Sequence, residues 1–231
     1  MAKALHILSG GAAQGLVSRL QVAFEAEHAC ALAGTFGAVG AMKDKLLGGA
    51  ACDLLILTQA LIDELGKQGR ADAASARPLG LVKTGVALKV GRDPVTIASA
   101  GDLKALLAAA PAIYFPDPAK ATAGIHFMKV LQALGQADDP RKLRTFPNGA
   151  TAMAELAKAP EMDAVGCTQV TEILITTGVR LTGLLPPPYE LATTYTAAVA
   201  SGAQLPELAR ALLAALTAPE AAQVRRECGF E

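Results

Sequence analysis

Three times within the first 68 residues a short apolar run gives way to a loop and then to a stretch whose apolar residues recur at helical spacing. Ala4–Leu8 stops at Ser9-Gly10-Gly11, after which Gln14–His28 places Leu16, Val17, Leu20 and Phe24 on one face, with Arg19, Gln21 and Glu25 between them. Ala29–Ala33 is followed by Gly34-Thr35-Phe36-Gly37, and a helical stretch from Ala38 to Leu47 breaks at Gly48-Gly49. Cys52–Leu57 is the clearest buried strand, and Gln59–Gln68 is helical. Parallel strands need a crossover, and a helix is the compact way to make one. The order β-α-β-α-β-α therefore restricts the chain to an α/β fold with a mostly parallel sheet flanked by helices.

The pattern repeats after a break. Beyond Arg77-Pro78, Leu79–Val90 is an extended segment long enough to leave one lobe and begin another, with Lys83-Thr84-Gly85 at the crossing. Helices over Leu103–Ala109, Thr122–Leu134 and Ala150–Ala157 then alternate with strands at Ala112–Phe115, Arg144–Phe146 and Ala164–Cys167, and Thr171–Thr177 forms a helical turn. The tail holds one strand, Tyr195–Val199, and helical runs after Pro206 and Pro219. A piece that short rarely buries enough core alone, so it is expected to pack back on the first lobe. The expected division is 1–82 plus 192–231 for lobe 1 and 83–191 for lobe 2.

Composition narrows the function. The 231 residues carry 21 basic and 21 acidic side chains, whereas a nucleic-acid binder normally shows a basic excess. No run approaches the roughly 18 apolar residues of a membrane span, so no membrane insertion is expected. With no Trp and nine other aromatics, a stacking platform for sugars or bases is not expected. Cys30, Cys52, Cys167 and Cys228 show no metal-ligand spacing, and neither a metal nor a cofactor is called for. Met1-Ala2-Lys3 runs straight into Ala4–Leu8, too short for the apolar core of a secretory signal. The expectation is a cytoplasmic protein as written, or a periplasmic one if the sequence starts at a mature end.

Four loops share one design, in which a strand ends, small or hydroxylated residues follow, and a helix begins. They are Ser9-Gly10-Gly11, Thr35-Phe36-Gly37-Ala38, Ala121-Thr122-Ala123-Gly124 and Asn148-Gly149-Ala150-Thr151. Helix-start N–H groups point outward at the positive end of the dipole and receive anions without any charged side chain. The same residue types also serve ordinary caps and turns. Ser9-Gly10-Gly11-Ala12-Ala13-Gln14-Gly15 does not satisfy the GxGxxG pattern of dinucleotide sites, and no GxxxxGK[ST] occurs.

The element order, together with Leu8–Ala12, Cys52–Leu57, Asp117-Pro118 followed by Thr122–Ile125, and Val165–Ile173, resembles the molybdate-binding group of type II periplasmic binding proteins over essentially the whole chain. The resemblance implies a periplasmic-binding-protein-like II fold of two α/β lobes around a ligand cleft. It implies a small anionic ligand, held by Ser9, Gly10, Gly37, Ala38, Thr122, Ala123, Gly149, Ala150 and Thr168. It also implies membrane components of an ABC transporter as partners if the protein is exported. The Thr-Gln-Val-Thr-Glu run of 168–172 is similar to a branch that contains aconitate isomerases, which move a double bond in an unsaturated tricarboxylate.

Two function classes follow: capture of a small anion without chemistry, and cofactor-independent isomerisation of an unsaturated polycarboxylate. The second needs a base beside a carboxylate. His126, one turn into the helix opened by Thr122, and Lys83, at the lobe crossing, are the candidates. Lys83 or Lys120 would also pair with an extra carboxylate of a tricarboxylate. Glu172 is expected to cap its own helix, and Cys167 to lie in the core.

Overall fold

The computed structural model describes residues 3–231, and Met1 and Ala2, which open the first expected lobe, lie outside the described residues. The chain divides into two compact units, one built from the chain up to Val82 together with Thr193–Glu231, the other from Lys83–Ala192.

Unit 1 opens with β1 (Lys3–Gly10), a 3-10 turn at Gly11–Ala13 and α1 (Gln14–His28). β2 (Cys30–Gly37), α2 (Val39–Leu47), β3 (Leu54–Thr58) and α3 (Gln59–Lys67) follow. β1 lies between β2 and β3, parallel to both. β2 runs past its apolar residues and pairs with β1 from Cys30 to Gly37, so Gly34–Phe36 are strand rather than loop. Backbone pairing with β1 sustains Gly34 and Thr35, and Phe36 also packs against the core of the unit. β3 buries every residue.

The chain leaves unit 1 through β4 (Arg77–Lys89). In unit 2 it forms α4 (Ala100–Ala109), β5 (Ile113–Pro116), α5 (Thr122–Ala133), β6 (Leu143–Phe146), α6 (Gly149–Lys158), β7 (Val165–Gln169), α7 (Val170–Leu174) and β8 (Val179–Leu184). β5 is parallel to both β6 and β7, while β4 runs antiparallel to β7 and to β8. Strand period two sorts the core onto two faces. Val86, Leu88, Ile113, Phe115, Val165 and Cys167 pack with α4 and α5, whereas Ala87, Ala112, Tyr114 and Ala164 pack with α6.

The tail returns to unit 1 as β9 (Ala192–Val199), α8 (Pro206–Thr217) and α9 (Ala222–Glu227). Tyr195–Val199 pair antiparallel with Leu54–Thr58, which makes the sheet of unit 1 mixed rather than uniformly parallel. Buried Asp53 secures the return. Its carboxylate accepts the His6 N–H at 2.8 Å, the Gln204 N–H at 2.7 Å and the Leu205 N–H at 2.9 Å. The last residue joins as well, since Glu231 and Leu81 exchange two main-chain hydrogen bonds. Both units are α/β, each with a mixed sheet flanked by helices.

Candidate functional site

Helix starts in this protein fall into two kinds. α3 is capped by the Thr58 hydroxyl, and α4 by a reciprocal Ser99–Asp102 capping box. These satisfy first-turn donors locally, as a structural helix requires. No side chain caps the turn entered at Gly10, α2 entered at Ala38, or α5 entered at Ala121. These three are among the four loops of small residues picked out in the sequence. The main chain is also drawn in close at two of them. A Cβ on Gly10 would press on Val39 and on the Tyr195 ring at 2.8 and 2.9 Å, and one on Gly124 would overlap the carbonyls of Pro116 and Asp117.

The fourth loop differs. At α6 the Asn148 side chain accepts the Thr151 N–H at 2.8 Å. The main-chain N–H groups of Gly149 and Ala150 are bound by the carboxylate of Glu172, which also takes the Gln169 N–H and the Thr168 hydroxyl, the latter at 2.5 Å. Glu172 therefore caps its own helix, through the N–H of its N-cap residue Gln169, and α6 as well, and Gly149, Ala150 and Thr168 direct their donors to it. Gly149 is glycine because a side chain there would overlap both the Glu172 carboxylate and the Thr168 hydroxyl. Burial pushes the Glu172 carboxyl above the usual carboxylate range, while the Thr168 hydroxyl and the main-chain donors pull the other way.

Other sequence-picked residues have defined surroundings. Ser9 is fully buried, and its hydroxyl donates to the Gly10 carbonyl at 2.8 Å. Gly37 and Ala38 are buried at the end of β2 and the start of α2, while Thr122 is half-buried beside buried Ala123. His126 Nε2 lies 2.8 Å from the Tyr189 carbonyl. A carbonyl only accepts, so this nitrogen carries the proton and only Nδ1 is left with a lone pair. Lys83 lines a hollow of about 470 Å³ in unit 2 with Glu190, Ile97, Leu185, Pro186 and Leu191.

All four cysteines are free and buried, with the Cys52 thiol pushed up to about 12 by burial and Cys167 well above its ordinary value for the same reason. Such thiols are poor nucleophiles. Among the described residues no three His, Cys, Asp or Glu side chains gather as a metal site, and no helix is long and apolar enough to cross a membrane.

Sequence reading missed two polar residues of unit 2. Thr84 on β4 and Gln169 on β7 stand directly opposite each other, both buried. Neither the Thr84 hydroxyl nor either polar atom of the Gln169 amide has a hydrogen-bond partner. Their one sequence signal is a threonine and a glutamine at buried positions of strands whose other buried residues are mostly apolar.

Residues 5–231 match the family model described as bacterial extracellular solute-binding protein. The chain is 25% identical to an aconitate isomerase from a Pseudomonas species, over 98% of this chain and 87% of that protein. Its fold is similar to that of the periplasmic molybdate-binding protein of Azotobacter vinelandii, with a TM-score of 0.81 at 17% identity and 98% of both chains covered. It is also similar to the sulfate-binding protein SubI of Mycobacterium tuberculosis H37Rv, with a TM-score of 0.74 at 16% identity, covering 99% of this chain and 86% of that one. The fold is thus that of periplasmic binding proteins, and the chain belongs to the bacterial extracellular solute-binding protein family.

Proposed function

We propose that the protein captures a small anion, an inorganic oxyanion or a small carboxylate. The observation that carries this reading is that three of the four small-residue loops lead into helix starts with no cap from the N-cap side chain, a lack that α1, α7, α8 and α9 share without such a loop directly before them. Small-residue starts at Gly10–Gly11, Ala38 and Ala121–Ala123 lack capping side chains, whereas α3, α4 and α6 are capped. Main-chain N–H groups at the positive ends of helices are neutral donors suited to a compact anion. Molybdate and sulfate, named for the solved relatives, and the carboxylates implied by the isomerase relative are the ligand classes to try. The partner class that goes with this reading is the membrane part of a transporter.

The test is a thermal-shift panel with molybdate, sulfate, phosphate, citrate, cis-aconitate and trans-aconitate, followed by calorimetry on each hit. A ligand at a hundredfold excess over Kd stabilises the folded state by about 2.7 kcal/mol. A clear upward shift with at least one anion is the expected result, and a flat panel ends the proposal.

The 25% identity to an aconitate isomerase supports a second reading, isomerisation of an unsaturated polycarboxylate. It stands behind the first because two of the ionisable side chains that could serve it are partly engaged. The protonated Nε2 of His126 is held by the Tyr189 carbonyl, and Glu172 is enclosed by four donors. Absorbance during incubation with each aconitate isomer separates the two readings, since interconversion above the protein-free rate would promote the enzyme.

A further inference from the structure

Buried polar side chains are almost always partnered, so a cluster that is not needs a reason. Among the described residues, six buried side-chain atoms lack a partner, and four of them belong to Thr84 on β4 and to Gln169 and Thr171 at the β7–α7 junction of unit 2. They are the Thr84 hydroxyl, both polar atoms of the Gln169 amide, and the Thr171 hydroxyl. Each of the three residues is at most 2% exposed. Main-chain groups of Thr84 and Gln169 are engaged. Thr84 N–H donates to the Leu191 carbonyl, its own carbonyl accepts from Leu185, and the Gln169 N–H goes to Glu172. Only the side chains are left over. Thr84 and Gln169 are register partners across antiparallel strands, which puts their side chains on the same face of the sheet.

From this cluster we infer that Gln169, with Thr84 beside it, is a specificity-determining part of the ligand site, and that the ligand is an anion carrying at least one O–H of its own. The inference rests on the anion-capture reading and names the ligand class within it. An amide offers two N–H donors and a carbonyl acceptor, and each hydroxyl donates once and accepts twice. A fully deprotonated oxyanion such as sulfate consists only of acceptors. It satisfies the N–H and O–H donors but leaves the Gln169 carbonyl oxygen without a donor. A hydroxy acid, or a hydrogen phosphate, brings acceptor oxygens and a donor together and meets both halves of the amide. Sites built to bond a ligand hydroxyl reject the analogue lacking it far more strongly than apolar pockets reject a missing methylene. Glu172 holds the turn on which Gln169 sits, so the amide is presented from a fixed backbone.

Two ligand pairs test this by calorimetry, and they separate the organic source from the inorganic one. Citrate is compared with propane-1,2,3-tricarboxylate, which lacks only the hydroxyl, and hydrogen phosphate is compared with sulfate. The expected result is that in one pair the O–H-bearing member binds about tenfold or more tightly, and that Gln169→Met reduces this preference to within about threefold. Thr84→Val, nearly the same shape without the hydroxyl, should reduce it partly, with thermal melts confirming that both variants fold. Equal binding within both pairs, tighter binding of sulfate or tricarboxylate, or an unchanged preference in Gln169→Met would each overturn the inference while leaving anion capture standing. If no member of either pair, nor any anion of the wider panel, binds, both readings fall together.

Discussion

Each unit of the molecule buries one carboxylate against three main-chain N–H groups, yet the two do different work. Asp53 in unit 1 collects donors from chain segments far apart in sequence, His6 on β1 and Gln204 and Leu205 just before α8. It ties the returning tail to the first strands. Glu172 in unit 2 collects its donors close by, from α6 and the β7–α7 turn, and one of its partners is a neighbouring hydroxyl. It caps the start of α6 from another element. A buried carboxylate can thus fasten the path of the chain or cap a helix start, and only its donors reveal which.

The most severe way to break this comparison is Gly149→Ala. The added Cβ overlaps the Glu172 carboxylate, which must leave its donors while remaining buried. Stranding a buried charge costs about 3–5 kcal/mol, to be read from urea midpoints. A loss below about 1 kcal/mol would mean that Glu172 is not held as described. Asp53→Ala comes next. It leaves three N–H groups without an acceptor, at about 1–3 kcal/mol for each that water cannot reach, so an overall loss of about 3 kcal/mol is expected. Because the tail depends on Asp53, limited proteolysis of this variant should cut first after Val199. Cutting confined to other loops would separate Asp53 from the tail's attachment.

The α/β class was legible because β1, β3, β5 and β7 are apolar runs closed by small residues, and because α1, α5 and α6 keep helical spacing. β8 was not. Val179–Leu184 carries Arg180, Thr182 and Gly183 and is half-buried along most of its length, so no apolar run marks it. Strand direction was equally silent, since the antiparallel setting of β4 and β9 depends on their partners and not on their own residues. At the candidate site, the small-residue helix starts could be read because their composition is local. Whether a start is capped could not be read when the cap comes from another element. Asn148 and Ser99 advertise their caps, but Glu172, which caps the α6 start from another element, lies 14 residues beyond the last residue of α6. Gln169 was missed for a related reason, as an orphaned amide is defined by what does not surround it.

The contrast between capped and uncapped helix starts gives a smaller effect with two readouts. Thr122→Val removes a hydroxyl at the uncapped start of α5 and should weaken anion binding by about 1 kcal/mol or more, roughly fivefold in Kd, with little change in stability. Asn148→Ala uncaps α6 and should do the reverse, costing about 1 kcal/mol of stability and leaving anion affinity unchanged. Calorimetry and urea melts on both variants check the pair. If both variants lost affinity and neither lost stability, the distinction between the two kinds of start would have no energetic content.

The smallest expected effect is one of slope with pH, and it bears on Glu172 alone. Burial raises its carboxyl in the folded protein above the value of an unfolded chain, so the folded state holds its proton to higher pH than the unfolded state does. The stability contributed by this difference is fully present below the ordinary carboxylate value, about 4.3. It is lost as pH rises through the raised folded value. Wild type should therefore lose stability relative to Glu172→Gln, which cannot ionise, as pH climbs from about 4 toward neutrality. Urea midpoints of both proteins across that range give the difference directly. If wild type instead gained on the variant with rising pH, the four donors around Glu172 would outweigh its burial. Glu172 would then be a charge held as firmly as a bound ligand, and the α6 start would be closed to anions at every pH.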